Sequence, residues 1–171
     1  MKLEEARRAF VDEWGKLGAA WGINRTMGQI HALLLAHSGP MDTDAIMEHL
    51  VISRGNANMN LRALIDWGLV SKSTRPGVRR EFYEAEKDVW KMARAIAAQR
   101  RKRELEPLMR VLESASSVEP GSGDAAEVRE FRRTMKEIQG FGTKAGRIFD
   151  LIQRLDQPSF LGRLMGLLKP G

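Results

Sequence analysis

One turn does most to constrain this chain. Arg75-Pro76-Gly77 lies between two short runs of β character, Leu69–Ser73 and Arg79–Tyr83. Proline presets its own φ and glycine accepts positive φ, so Pro76-Gly77 fits the centre of a type II turn and predicts a two-stranded hairpin. The residues on either side of this hairpin carry helical period. A lone hairpin behind a set of short helices is compatible with few folds.

The helices before it are legible from their stripes and caps. Leu3, Ala6, Phe10, Trp14 and Leu17 recur at steps of three and four, an amphipathic helix over 3–18. Gly18 and Gly22 loosen the chain at its end. Asn24 can cap a second helix carrying Met27, Ile30, Leu33 and Leu34, which Gly39-Pro40 ends. Asp42 or Thr43 caps a short third helix with Ile46 and Leu50. Ser53 caps a fourth running to about Trp67, and Gly68 stands just beyond it, a common glycine position.

Helix, helix, short turn, helix, hairpin over residues 24–83 is the winged helix-turn-helix arrangement. The expected fold is therefore mainly α with a small β-hairpin. In such a fold the third helix of the set lies in a DNA major groove. Its core side is Ala57, Leu61, Leu64 and Ile65, and at 100° per residue Gly55, Asn58, Met59 and Arg62 turn the other way. Asparagine can read adenine, arginine can read guanine and Met59 can meet a thymine methyl. Asn56, Asn58 and Asn60 are poor helix formers, so their place inside a helix favours recognition over mere solubility.

Charge agrees with that reading once it is divided along the chain. The net charge is +6 over 171 residues. Residues 53–83 carry six basic and two acidic side chains, residues 91–103 six basic and none acidic, and residues 104–171 ten of each. A basic zone of this kind is an electrostatic footprint for a polyanion. At the hairpin tip Lys72, Thr74, Arg75, Arg79 and Arg80 are available. A regular strand would point Arg79 and Arg80 to opposite faces, leaving one of them on the DNA side. Arg100-Arg101-Lys102-Arg103 reads instead as a solvated face.

The rest of the chain supplies helices for pairing. Asp88 caps a long helix with Val89, Met92 and Ile96, and Pro107 kinks it or starts a new segment near Glu106. Ser114–Gly123 is a linker by composition. Asp124 with Glu127 resembles a capping box before Val128, Phe131, Met135 and Ile138, whose spacing suits a helix pair. Gly140 and Gly142 are expected to break that helix. Ile148, Leu151, Ile152 and Leu155 form another stripe, and Pro158 precedes an apolar tail. The expected organisation is an N-terminal dimerisation helix over 1–23, a winged helix-turn-helix domain over 24–87, and a helical dimerisation and effector region over 88–171.

Other chemistries find little material. The chain has no cysteine, which removes disulfides, thiolate zinc sites and a cysteine nucleophile. His31, His37 and His49 fall on different helices or faces, so neither a metal nor another cofactor is expected, and no catalytic constellation is present. The sequence has no apolar run long enough to span a bilayer, and its acidic start is no secretory signal, so a cytoplasmic non-enzyme is expected. Trp14, Trp21 and Trp90 are the candidates for an effector site, since aromatic faces attract organic cations; tryptophans at helical spacing are more often core.

Ile52-Ser53-Arg54-Gly55-Asn56, Met59-Asn60-Leu61-Arg62, Leu64-Ile65-Asp66-Trp67-Gly68-Leu69-Val70 and the Arg75-Pro76-Gly77 wing together resemble the GbsR branch of the MarR transcriptional regulators. Phe10-Val11-Asp12-Glu13-Trp14-Gly15 resembles it too. The likeness spans roughly residues 5–106 and departs at Ala57 and Asn58, where many members carry valine then serine. It implies a homodimer built by the terminal helices that binds a pseudo-palindromic double-stranded DNA operator, with a small-molecule effector such as the choline sensed by some relatives. The DNA-facing candidates are Ser53, Arg54, Asn56, Asn58, Met59 and Arg62 on the helix, with Arg75 and Arg79 on the wing. The alternative is a winged-helix module that docks protein; it should lack the set Arg54, Arg62, Arg75 and Arg79.

Overall fold

The computed structural model describes residues 1–119 and 124–154. The linker residues 120–123, Leu155, Pro158 and the apolar tail lie outside the described residues. The chain forms two compact units, Met1–Ala95 and Ile96 onward.

The first unit holds α1 (Leu3–Ala20), α2 (Arg25–Ala36), β1 (Met41–Asp42), α3 (Thr43–Leu50), α4 (Arg54–Asp66), β2 (Val70–Arg75) and β3 (Val78–Ala85), and α5 (Val89–Arg100) begins in it. Local caps set these boundaries. The Asn24 side chain accepts from the backbone N–H groups of Thr26 and Met27, and Asp42 accepts from that of Ala45. Asp88 accepts from those of Trp90 and Lys91 at 2.9 and 3.1 Å, starting α5. The first turn of a helix has no intrahelical partner for its donors, and these oxygens supply one.

The expected hairpin is present as β2 and β3, and a strand not read from sequence extends it: the antiparallel order is β1-β3-β2, with Met41 paired to Tyr83 and Asp42 to Phe82. Two residues give no readable β period, so β1 is set by the edge it meets. The core lies between helices and sheet: Ile30, Leu34, Ile46, Leu61 and Leu64 are fully buried, with Met41, Leu69, Val70 and Tyr83 beneath them. Gly15 and Gly28 bring α1 and α2 together. A Cβ on Gly28 would lie 3.2 Å from both the Gly15 Cα and the Trp14 carbonyl oxygen. α3 ends with Val51 at φ 53°, a left-handed conformation that is costly for a β-branched residue.

The second unit contains a π-helical segment at Arg101–Leu105, α6 (Glu106–Ser116) and α7 (Ala125–Arg154). Pro107 sits in the first turn of α6, where its missing N–H costs nothing, so it starts a segment after a local widening of the helix. Ser114–Ser116 remain helical and do not belong to the linker. Asp124 caps α7 by accepting from the Ala126 N–H at 3.3 Å. α7 then runs unbroken through Gly140 and Gly142, contrary to expectation. Gly142 serves packing instead: a Cβ there would lie 2.5 Å from the Met109 sulfur, and one on Gly146 would touch Leu105. Gly142 and Gly146, one turn apart, let α7 fold back antiparallel onto the segment holding Leu105 and Met109.

Candidate nucleic-acid interface

α4 begins at Ser53, whose extended backbone and hydroxyl form a helix cap; Oγ accepts from the Asn56 N–H at 3.3 Å. Ala57, Leu61 and Leu64 are buried as the helical period requires, whereas Ile65 is only half-buried. Asn60 departs from expectation. It is 3% exposed, and its Nδ2 donates to the Asn56 carbonyl oxygen at 2.9 Å and to Asn56 Oδ1 at 2.7 Å. One of the three asparagines is therefore an internal strut, satisfied one turn back along its own helix. Arg54, Gly55, Met59 and Arg62 are exposed, and Asn56 and Asn58 are half-buried. A Cβ on Gly55 would meet open space, so nothing within the chain demands glycine there.

The wing follows directly. Gly77 has φ 76°, as a type II turn requires. Thr74 pairs with Glu81 but Arg75 pairs with Val78, so the register shifts and Arg79 and Arg80 form an irregularity opposite that step. The strand is thus not regular at these two arginines, and simple alternation does not set their faces, since a bulge re-aims the side chains it carries. Arg79 is exposed at the tip, and the Arg75 guanidinium lies 4.2 Å over the Phe82 ring.

Acidic side chains run through this basic face. Lys72 Nζ donates to Glu81 at 2.7 Å, and the Tyr83 hydroxyl donates to the other Glu81 oxygen at 2.8 Å. The Lys72 bond first, then that of Tyr83, holds the Glu81 carboxyl below the usual carboxylate range; Arg62 adds a smaller pull. Arg80 donates to Asp42 at 2.9 Å and approaches Asp44 at 3.7 Å. The Asp42 carboxyl is held low chiefly by the Ala45 N–H and next by Arg80. Arg54 donates to Asp44 in a short ion pair. No sequence pattern marks Asp44 or Glu81 as part of this face. Asp44 stands ten residues from Arg54, and only the folding of α3 against α4 brings the two together.

The remaining candidates are distributed elsewhere. Trp14 Nε1 donates to His31 Nδ1 at 3.3 Å, and its ring lies 5.3 Å from that of Phe10, so it takes part in α1–α2 packing. Trp21 and Trp90 remain partly exposed. A half-open cleft of about 720 Å³ is bordered by Arg7, Arg8, Leu33, His37 and His49, and none of the three tryptophans lines it. In the second unit Arg100 pairs with Glu104 at 3.2 Å and Arg101 with Asp150. Among the described residues no group of three potential ligands is placed to hold a metal ion, and no helix is long and apolar enough to cross a membrane.

A helix-turn-helix followed by a small antiparallel sheet, with one hairpin projecting beside the exposed helix, defines a winged-helix fold. No family model matches the chain. Over 115 residues it is 24% identical to the HTH-type transcriptional repressor GbsR of Bacillus subtilis (strain 168), covering 67% of this chain and 63% of that protein. Over 88 residues it is 24% identical to the "Putative HTH-type transcriptional regulator YvaV" of the same strain, covering 52% of this chain and 50% of that one. The chain thus spans less than two thirds of the length of either curated relative. A crystal structure of a transcriptional regulator superposes with a TM-score of 0.57 at 18% identity, covering 84% of this chain and 97% of that one; at this identity the likeness is one of fold. At family level these similarities support a GbsR/MarR-type regulator.

Proposed function

We infer that the chain is a dimeric, sequence-specific DNA-binding transcriptional regulator, and a repressor like the relative it matches. The observation that carries this reading is α4 itself. Ala57, Leu61 and Leu64 anchor one side of it, while Arg54, Met59 and Arg62 stand exposed on the other, next to a wing bearing Arg75 and Arg79. Ser53, Asn56 and Asn58 complete the groove-facing set, with Arg62 reading a base edge and Arg75 and Arg79 meeting phosphate or the minor groove. The sheet supports the wing from behind, and the ring of Phe82 holds the Arg75 guanidinium in place before any DNA arrives.

Anisotropy with a fluorescent duplex from the DNA upstream of the chain's own coding sequence tests the reading. Affinity should fall steeply as salt rises, because counterions released from phosphates drive binding. Arg62→Ala should relax sequence preference by about 1–3 kcal/mol, whereas Arg75→Ala should weaken all duplexes alike. A flat salt dependence, or equal affinity for a scrambled duplex, overturns sequence-specific regulation.

A further inference from the structure

We propose that Asp44 is a specificity-determining residue, an internal competitor for Arg54 that suppresses binding to non-cognate DNA. The proposal rests on the DNA-binding reading and deepens it.

Asp44 lies in the first turn of α3, and one carboxylate oxygen accepts from Arg54 Nη2 while the other faces Arg80 Nη1 at 3.7 Å. The three side chains are 48%, 60% and 62% exposed respectively. Ion pairs this wet contribute little to folding, since water screens them and two long side chains must be held still. A carboxylate in the first turn of α3 favours that helix, but its pairing with Arg54 and Arg80 is not accounted for by stabilisation of the fold. Its position has a consequence for binding. Arg54 is the first residue of α4, beside the exposed helix face, so Asp44 places negative charge where a phosphate backbone would approach.

Non-specific complexes draw their affinity almost wholly from phosphate contacts. For them Asp44 acts twice, occupying Arg54 and repelling the phosphate that would replace it. In a cognate complex Arg54, one of the groove-facing set, turns to a base edge instead of a phosphate, so the repulsion of phosphate by Asp44 falls mainly on non-cognate complexes. The carboxylate thus weakens non-cognate binding more than cognate binding and widens the ratio between them. Asp42 does not share this role, because its oxygens are occupied by the Ala45 N–H and by Arg80.

The test uses the full chain, with a duplex recovered by selection from a random-sequence pool and a scrambled duplex of equal length and composition. Asp44→Asn should raise affinity for the scrambled duplex roughly three- to tenfold, with a smaller gain for the selected one. Its salt dependence on scrambled DNA should steepen by about one phosphate contact per protomer. In an Arg54→Gln background the same substitution should gain much less. Asp44→Glu, which keeps the charge, should preserve the wild-type ratio. Circular dichroism and thermal unfolding check that each variant is folded. If wild type prefers the selected duplex but Asp44→Asn leaves the ratio unchanged, the inference fails and the DNA-binding reading stands. An equal gain with or without Arg54 also overturns it. If wild type binds neither duplex, both fall together.

Discussion

His31 shows how a single buried side chain can set the acid tolerance of a domain. It is 4% exposed on α2, and burial lowers its pKa from 6.5 to about 4. Trp14 donates to Nδ1, so the neutral ring carries its proton on Nε2, which finds no partner among the described residues. Protonation would put a second N–H where Trp14 already points one. The unfolded chain binds this proton more readily than the folded one, so the stabilising contribution is complete above pH 6.5 and is lost as pH falls towards 4. At about 1.4 kcal/mol per pH unit, His31 should remove roughly 3 kcal/mol of stability across that window. Urea unfolding of wild type and His31→Gln between neutral pH and pH 4 measures this. The variant should lose markedly less stability on acidification, and identical pH dependence would exclude His31 as the cause.

At the scale of elements, glycines of similar appearance do different work. Gly28 is a contact: its missing Cβ is the space in which α1 reaches α2, and the atoms crowding it belong to backbone. Gly140 lies on α7 with nothing within 4 Å of a Cβ. Gly28→Ala must push two helices apart, a strain of about 1–3 kcal/mol set against about 1 kcal/mol of better helix propensity, so it should destabilise. Gly140→Ala has no such strain and should stabilise by up to about 1 kcal/mol. Thermal unfolding should show opposite shifts, and shifts of the same sign would undo this distinction. The contrast also explains what is legible in sequence. Ser53, Asn24 and Asp88 are legible because a cap acts within three residues of itself, and Gly77 because its turn is local. Gly142 resembles a break in sequence because its reason, Met109, lies on another helix. Asn60 resembles a reader in sequence because only burial turns that polar side chain into a strut. The Arg79–Arg80 irregularity comes from pairing with β2, which residue alternation along one strand does not reveal.

At the scale of the whole molecule, the basic and the near-neutral parts of the chain divide the work. Residues 53–103 carry the excess charge and include the proposed reading surface, while residues 104–171 balance in charge and contain α6 and α7 among the described residues. α7 leaves Phe131, Ile138, Phe141 and Ile148 exposed. Their steps of seven, three and seven keep them within about 100° of helix circumference, one continuous apolar face. Side chains of this size are each worth about 1.5–3 kcal/mol when buried, and a regulator that reads a two-fold operator needs a second copy. This face is the proposed place for that copy to pack, in keeping with the symmetry of closed dimers. Phe141→Glu with Ile148→Glu should therefore shift the chain from dimer to monomer in sedimentation equilibrium at micromolar concentration. The double variant should leave helix content intact and should bind an isolated half-site about as well as wild type. On a two-half-site operator it should lose the avidity that a linked second reader provides, on the order of a hundredfold. A variant that stays dimeric, or one that binds the full operator undiminished, would move the subunit contact away from α7.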